Sequence, residues 1–320
     1  MVSLFFLVLN VSVAFKAAHA FSSPCEPGSV PFPATTSASD PVTYDCLSFT
    51  TAFVESMQYL RDNLALFDEI NKGSLGFVTS DPLAVNEGIA NRGTNISLQV
   101  RSLYQWAAAV PKDIYLEYVL PFSNVNEART NWRELLFPIV QKILTETGDD
   151  LDKYSTTNVV TAVNNALWTG AMGKDIIFKS SQTPLIYDPM SVLAFGYGSC
   201  TGVSIFFIDA LRSVGIPSRL AGTPAWNGIP QNGNHNWLEV WDPSSGWQFI
   251  EAAPAGGGET LQDPCDKWFC SPSNMDGTEL FAARFLQSEP IRYPMAWDLG
   301  NTEIPGENRT AYYHTACSAC

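Results

Sequence analysis

Apolar residues recur at three- and four-residue spacings through "CLSFTTAFVESMQYLRDNLALF" (46–67). They do so again, after a proline-bounded turn, through "TNWRELLFPIVQKILTET" (130–147). That is the period of helices with one buried face. "STTNVVTAVNNALWTG" (155–170) predicts a further helix, with Ser155 and Thr156 as candidate N-caps and Gly170 as the glycine that stops it. From Leu47 to about Gly170 the pattern is helical throughout. A broader stripe, Val203, Phe206, Phe207, Ala210, Leu211 and Val214, predicts a buried helix starting at Cys200. Ser199 stands at its N-cap, Arg212 complements its C-terminal dipole, and Gly215 sits where a C′ glycine belongs. The period then drops to two. "HNWLEVWDPSSGWQFIEAAP" (235–254) reads as two Trp-, Val- and Ile-bearing strands around Asp-Pro-Ser-Ser-Gly, a hairpin.

The ends of the chain are different in character. "LFFLVLNVSVAF" followed by Ala18-His19-Ala20 has the apolar run and small-x-small site of a signal peptide, although no Lys or Arg precedes it. Asn10 and Lys16 leave that run too short and too polar for a membrane anchor, and no later run reaches spanning length. Residues 21–45, rich in Ser, Thr and Pro, are too polar to build a core and read as an irregular arm. Beyond Pro254, "AGGGE" marks a joint into a tail with four cysteines. The expected layout is therefore a signal peptide (1–20), an arm (21–45), a helical region (46–165), a core (166–256) and a Cys-containing extension (257–320).

Composition narrows the function classes. With 46% hydrophobic and 16% charged residues the chain can fill a sizeable core. Its net charge of −14, with no basic patch, argues against nucleic acid as a partner. Seven cysteines are an odd number for a secreted chain, so at least one stays outside intramolecular pairs. Cys25, Cys46, Cys265, Cys270, Cys317 and Cys320 cluster toward the ends and are the disulfide candidates, with Cys25–Cys46 closing the arm. Cys200 stands alone. Asn95 and Asn308 head glycosylation sequons, consistent with the same compartment. Zinc at the tail cysteines with His314 is disfavoured, because disulfides suit an oxidising compartment better. The run Asp149-Asp150-Leu151-Asp152 lacks the spacing and the turn glycine of a calcium loop.

Cys200 at the head of a helix has a chemical reading besides a packing one. Unpaired N–H groups and the positive dipole end stabilise a thiolate there and can hold a developing oxyanion. The only histidines are His19, His235 and His314, and His235 opens the first hairpin strand. With the turn at Asp242–Gly246, odd positions of both strands share a face, so His235 lies opposite or diagonal to Glu251. Glu239 has the same parity one step further along, and Asp242 has the other. A carboxylate beside a histidine fixes its tautomer and stabilises the imidazolium.

The blocks "GYGSCTGVSIFFIDALRSVGIPSRLAGTPAW", "HNWLEVW" and "GWQFIEAAP", in that order, resemble the core of the transglutaminase-like superfamily. The resemblance covers about Asp188 to Pro254. It implies an α+β, papain-like fold in which the Cys-bearing helix packs on an antiparallel sheet. It also implies Cys200 as nucleophile, His235 as base and Glu251 as acid, where the family usually has Asp, one methylene shorter. Animal transglutaminases use a tryptophan upstream of the Cys for the oxyanion; Trp168 is the nearest match, and Trp237 is a second supporting candidate. The segment from Gly215 to Arg219 reads as helix stop, turn and charged anchor. The expected protein is a secreted thiol enzyme acting on amide groups of a protein or peptide, with transfer to an amine or to water and with no metal or cofactor. The competing expectation is a non-catalytic extracellular binding or scaffold protein that keeps the fold. The oligomeric state is left open.

Overall fold

The computed structural model describes residues 46–77, 88–170 and 173–320. The expected signal peptide and arm, and the expected Cys25–Cys46 pair, lie outside the described residues and side chains. Helices come first: α1 Cys46–Asp62, α2 Leu66–Glu69, α3 Lys72–Leu75, α4 Ile89–Leu103, α5 Gln105–Ala108, α6 Lys112–Tyr118, α7 Trp132–Glu146 and α8 Thr156–Ala166. Next come β1 Ile177–Phe178, α9 Pro189–Phe195, β2 Tyr197–Gly198 and α10 Cys200–Ser213. The remainder is β3 Ser218–Thr223, β4 His235–Asp242, β5 Gly246–Ile250, α11 Pro272–Met275, β6 Phe281–Ala283, β7 Gly306–Asn308 and α12 Thr310–Ala316. The fold is α+β. None of the described helices is long and apolar enough to cross a membrane.

α10 is the centre of the core. Every residue from Thr201 to Ser213 is buried, because β3 and β4 cover one side and α4, α7, α8 and α9 the others. Most of the polar groups this buries are bonded, Asp209 Oδ2 and Asn124 Oδ1 excepted. Asn124 donates to Asp209 at 3.0 Å, Arg212 donates to the carbonyls of Ser218 (2.9 Å) and Ser123 (3.1 Å), and Arg133 donates to the Arg212 carbonyl at 2.7 Å. The helix stops in a Schellman motif: Ile216 N–H reaches the Leu211 carbonyl, Gly215 N–H reaches that of Arg212, and Gly215 is left-handed at φ 84°.

The five-stranded antiparallel sheet runs β5-β4-β3-β6-β7, so the extension supplies two of its strands and is no separate tail. Two disulfides, Cys265–Cys320 and Cys270–Cys317, bind the strap before α11 to the end of α12. Arg219 anchors the middle of the sheet. It is fully buried, pairs with Glu239 (2.7 Å) and Glu307 (2.7 Å), and lies over the Trp247 ring.

Two local expectations need correction, the stop at Gly170 and the cap at Ser199. α8 ends at Ala166, and Gly170 occupies a left-handed turn three residues past its C-cap, Leu167. Of its two candidate caps Ser155 is the one used, in a reciprocal capping box with Asn158. Ser199 has the extended backbone of an N-cap, but its hydroxyl is drawn to Thr183 Oγ1 at 2.6 Å and caps nothing. The two sequons differ in setting: Asn308 is exposed on β7, whereas Asn95 lies mid-helix in α4 with Ser97 fully buried.

A Cβ added at Gly215 would overlap Ala107 and come within 3.1 Å of Val100 Cγ1. Left-handed strain and overpacking together should cost about 2–5 kcal/mol in Gly215→Ala. Denaturant titration checks this, and a loss below about 0.5 kcal/mol, within ordinary surface scatter, would contradict it.

Candidate active site

β2 delivers the chain into α10, making Cys200 the first helical residue. Among the described residues it is the free cysteine, and it is partly exposed. With Ser199 diverted to Thr183, the first-turn N–H groups have no side-chain cap and face the thiol's surroundings. Burial pushes the Cys200 thiol up. The hydrogen bond and charge of His235, with the backbone N–H groups of Asn236 and Thr201, outweigh burial and bring it below its ordinary value.

His235 opens β4 and is buried. Its Nε2 is hydrogen-bonded to Glu251 Oε1, which leaves Nδ1 as the ring nitrogen for Cys200. Burial disfavours the imidazolium, but the bonds to Cys200 and Glu251 and their charges overcome it and push His235 up to about 9. Both shifts run in the direction of a thiolate–imidazolium pair.

The ladder Leu238↔Ile250, Glu239↔Phe249 sets the hairpin register. One step beyond it Glu251 faces Trp237, and His235 is its diagonal neighbour, within reach of a long side chain. Glu251 is fully buried and fixed at four points. Besides His235, Trp268 Nε1 donates to Oε2 (2.8 Å), its backbone N–H donates to Glu259 Oε2 (2.9 Å), and Asn164 donates to its carbonyl (3.0 Å). Glu239, the other carboxylate of the right parity, belongs to Arg219 and Arg309. Asp242 caps the turn, accepting from the backbone N–H groups of Ser244 (2.9 Å) and Ser245 (3.1 Å).

Asn236 ties the histidine strand to the cysteine helix. Its Oδ1 accepts from Thr201 Oγ1 (2.8 Å), its carbonyl from Ser204 Oγ (3.3 Å), and its Nδ2 donates to Tyr293 OH (2.6 Å). Across the ladder Gly222 makes this possible, since a Cβ there would overlap the Asn236 amide and the His235 carbonyl.

Both candidate tryptophans have committed N–H groups. Trp168 donates to Asn164 Oδ1 (3.0 Å) and packs against Phe206 and Phe207; Trp237 donates to Tyr313 OH (2.7 Å) and stacks on Phe269. Both rings are packed in the interior, and neither N–H is left for an oxyanion. His314 is remote, bonded to the Thr278 carbonyl (3.2 Å). Among the described residues no group of His, Cys, Asp and Glu is arranged to hold a metal. Sequence reasoning missed Asn164, Asn236, Glu259, Trp268, Tyr293 and Trp226, whose ring stacks 6.3 Å from that of His235. None carried a local signal: Trp268 is placed by two disulfides whose pairing cannot be read from spacing.

Iodoacetamide should label Cys200 well below pH 8.5, about the pKa of an ordinary thiol, and spare Cys265, Cys270, Cys317 and Cys320. In His235→Ala burial acts unopposed by the imidazolium, so the pH at which labelling starts should rise. Peptide mapping of alkylated native protein checks both statements, and coincident profiles for the two proteins would contradict the pairing.

Comparison with curated proteins finds no match. Among solved structures, a proposed cysteine protease from Cytophaga hutchinsonii aligns at 19% identity and TM-score 0.31, over 45% of this chain and 43% of its own. The periplasmic domain of TgpA from Pseudomonas aeruginosa, bound to ethylmercury, aligns at 18% identity and TM-score 0.28, over 38% of this chain and 44% of its own. This chain thus spans less than half the length of either structure. The family model that matches is the transglutaminase-like superfamily, over residues 145–252, a stretch that holds Cys200, His235 and Glu251 together, so this part of the chain is a transglutaminase-like domain.

Proposed function

We propose that this protein is a secreted thiol enzyme in which Cys200, His235 and Glu251 form a catalytic triad acting on carboxamide groups of proteins or peptides. The observation that carries the reading is the bond from His235 Nε2 to the buried Glu251 carboxylate, on a ring whose hydrogen bond and charge also lower the Cys200 thiol. The apolar leader, the two disulfides and the exposed sequon at Asn308 support secretion.

Cys200 thiolate attacks the carbonyl carbon, forming a C–S bond while the carbonyl π pair moves onto oxygen. The Cys200 backbone N–H, free of helix partners at the first turn, is one donor to that oxyanion. As the tetrahedral species collapses the C–N bond breaks, the amine takes its proton from His235, and a thioester remains. An amine or water then gives a proton to His235, attacks the thioester and regenerates the thiolate. Glu251 stabilises the imidazolium and holds its orientation throughout; it transfers no proton.

Turnover of a peptide library, scored for both amine release and incorporation of a labelled primary amine, tests the reading. Cys200→Ala should abolish both. Glu251→Gln should lower the rate about 10²–10⁴-fold with folding retained, Glu251→Asp should recover part of it, and Asp242→Asn should stay near wild type. Full activity in Glu251→Gln with loss in Asp242→Asn would overturn the triad.

A further inference from the structure

Trp268 is the point at which the C-terminal extension touches the candidate site. Its side chain is 57% exposed, an unusual setting for an indole that donates a 2.8 Å hydrogen bond to a fully buried carboxylate. Its ring centroid lies 4.9 Å from that of His235. The neighbours on either side are buried. Lys267 is buried and donates to the carbonyls of Thr260 and Asp263, and Phe269 is buried among Trp226, Trp237 and Phe249. Residues 267 and 269 therefore anchor the strap, while 268 lies over the His235–Glu251 pair.

The strap is also fixed covalently. Cys265 and Cys270 bracket Trp268, and their partners Cys320 and Cys317 lie just beyond α12. On α12 itself, Tyr313 OH accepts from Trp237 Nε1, and Trp237 faces Glu251 across the hairpin. Two disulfides and a buried lysine are a rigid mounting for one exposed side chain.

We propose that Trp268 is a positioning residue for the His235–Glu251 pair. Its N–H holds Oε2 of Glu251 so that Oε1 faces His235, its ring shields the bond from water, and the two disulfides hold the strap that delivers it. This rests on the triad proposed above. Without the N–H, Oε2 would be a buried charged acceptor lacking its donor, and Glu251 would turn toward water. The other titratable groups around the pair are Cys200 on α10, Glu259 on the loop after β5, and Asp266 and Lys267 on the strap. Glu259 is pushed up to about 7 by burial and by the charge of Glu251, so it adds little negative charge below neutrality.

The test uses the full chain and two readouts, the pH profile of Cys200 alkylation and kcat against KM on the library peptides. Trp268→Phe keeps the ring and removes the N–H, and the exposed position should tolerate it. Its kcat should fall about tenfold, the smaller effect expected for a lost bond to a charged group, at unchanged KM. The upper limb of its alkylation profile should move to lower pH, because a less supported imidazolium gives up its proton earlier. Trp268→Ala and the pair Cys265→Ala/Cys320→Ala should shift it in the same direction. A Trp268→Phe profile that superimposes on wild type while Glu251→Gln shifts would overturn the role of Trp268. Superposition of Glu251→Gln as well would instead locate the failure in the triad. A wild-type profile in the double cysteine variant would remove the disulfides from the account.

Discussion

The hydrogen bond between His235 and Glu251 is made where water hardly reaches, and a carboxylate in such a place must have every acceptor position answered. A bare buried charge is costly enough that the group would take up a proton or leave the interior. Here one oxygen meets His235 and the other Trp268. The positive ring this creates is balanced on its far side by the thiol of Cys200, itself drawn below its ordinary pKa by that ring. Glu251 and Cys200 both raise His235, and His235 in turn lowers Cys200.

Holding three groups from distant parts of the chain requires a scaffold that does not yield. α10 supplies it, closed in on all sides, with Arg212 and Arg133 satisfying the carbonyls around its C-terminal end. Asn236 then links the first turns of α10 to β4, so the distance from thiol to imidazole is a property of the core and not of a loop. The extension completes the sheet through β6 and β7, sends Tyr293 to Asn236, and sends Trp268 to Glu251.

What the sequence disclosed follows from the range of the interactions. The helix at Cys200 and the hairpin at His235 were legible because stripe, stop glycine and strand parity are local signals. Parity reduced the acid to Glu251 or Glu239; the family resemblance pointed to Glu251, and the claim of Arg219 and Arg309 on Glu239 appears only in three dimensions. Ser199 looked like a cap, and a hydroxyl sixteen residues earlier outcompeted the helix for it. β6 and β7 have three residues each, too short for alternation to register, so the extension read as a tail. Trp268 was invisible for a similar reason: its position depends on which cysteines pair, and pairing cannot be read from spacing.

The central claim is that His235 is an imidazolium held between a thiolate and a carboxylate. ¹⁵N NMR of histidine-labelled protein measures this directly, with His235→Gln assigning the resonances against His314. Both ring nitrogens of His235 should carry protons at pH 7.5 and remain so until about pH 9. A neutral ring with a single protonated nitrogen at pH 7.5 would contradict the account.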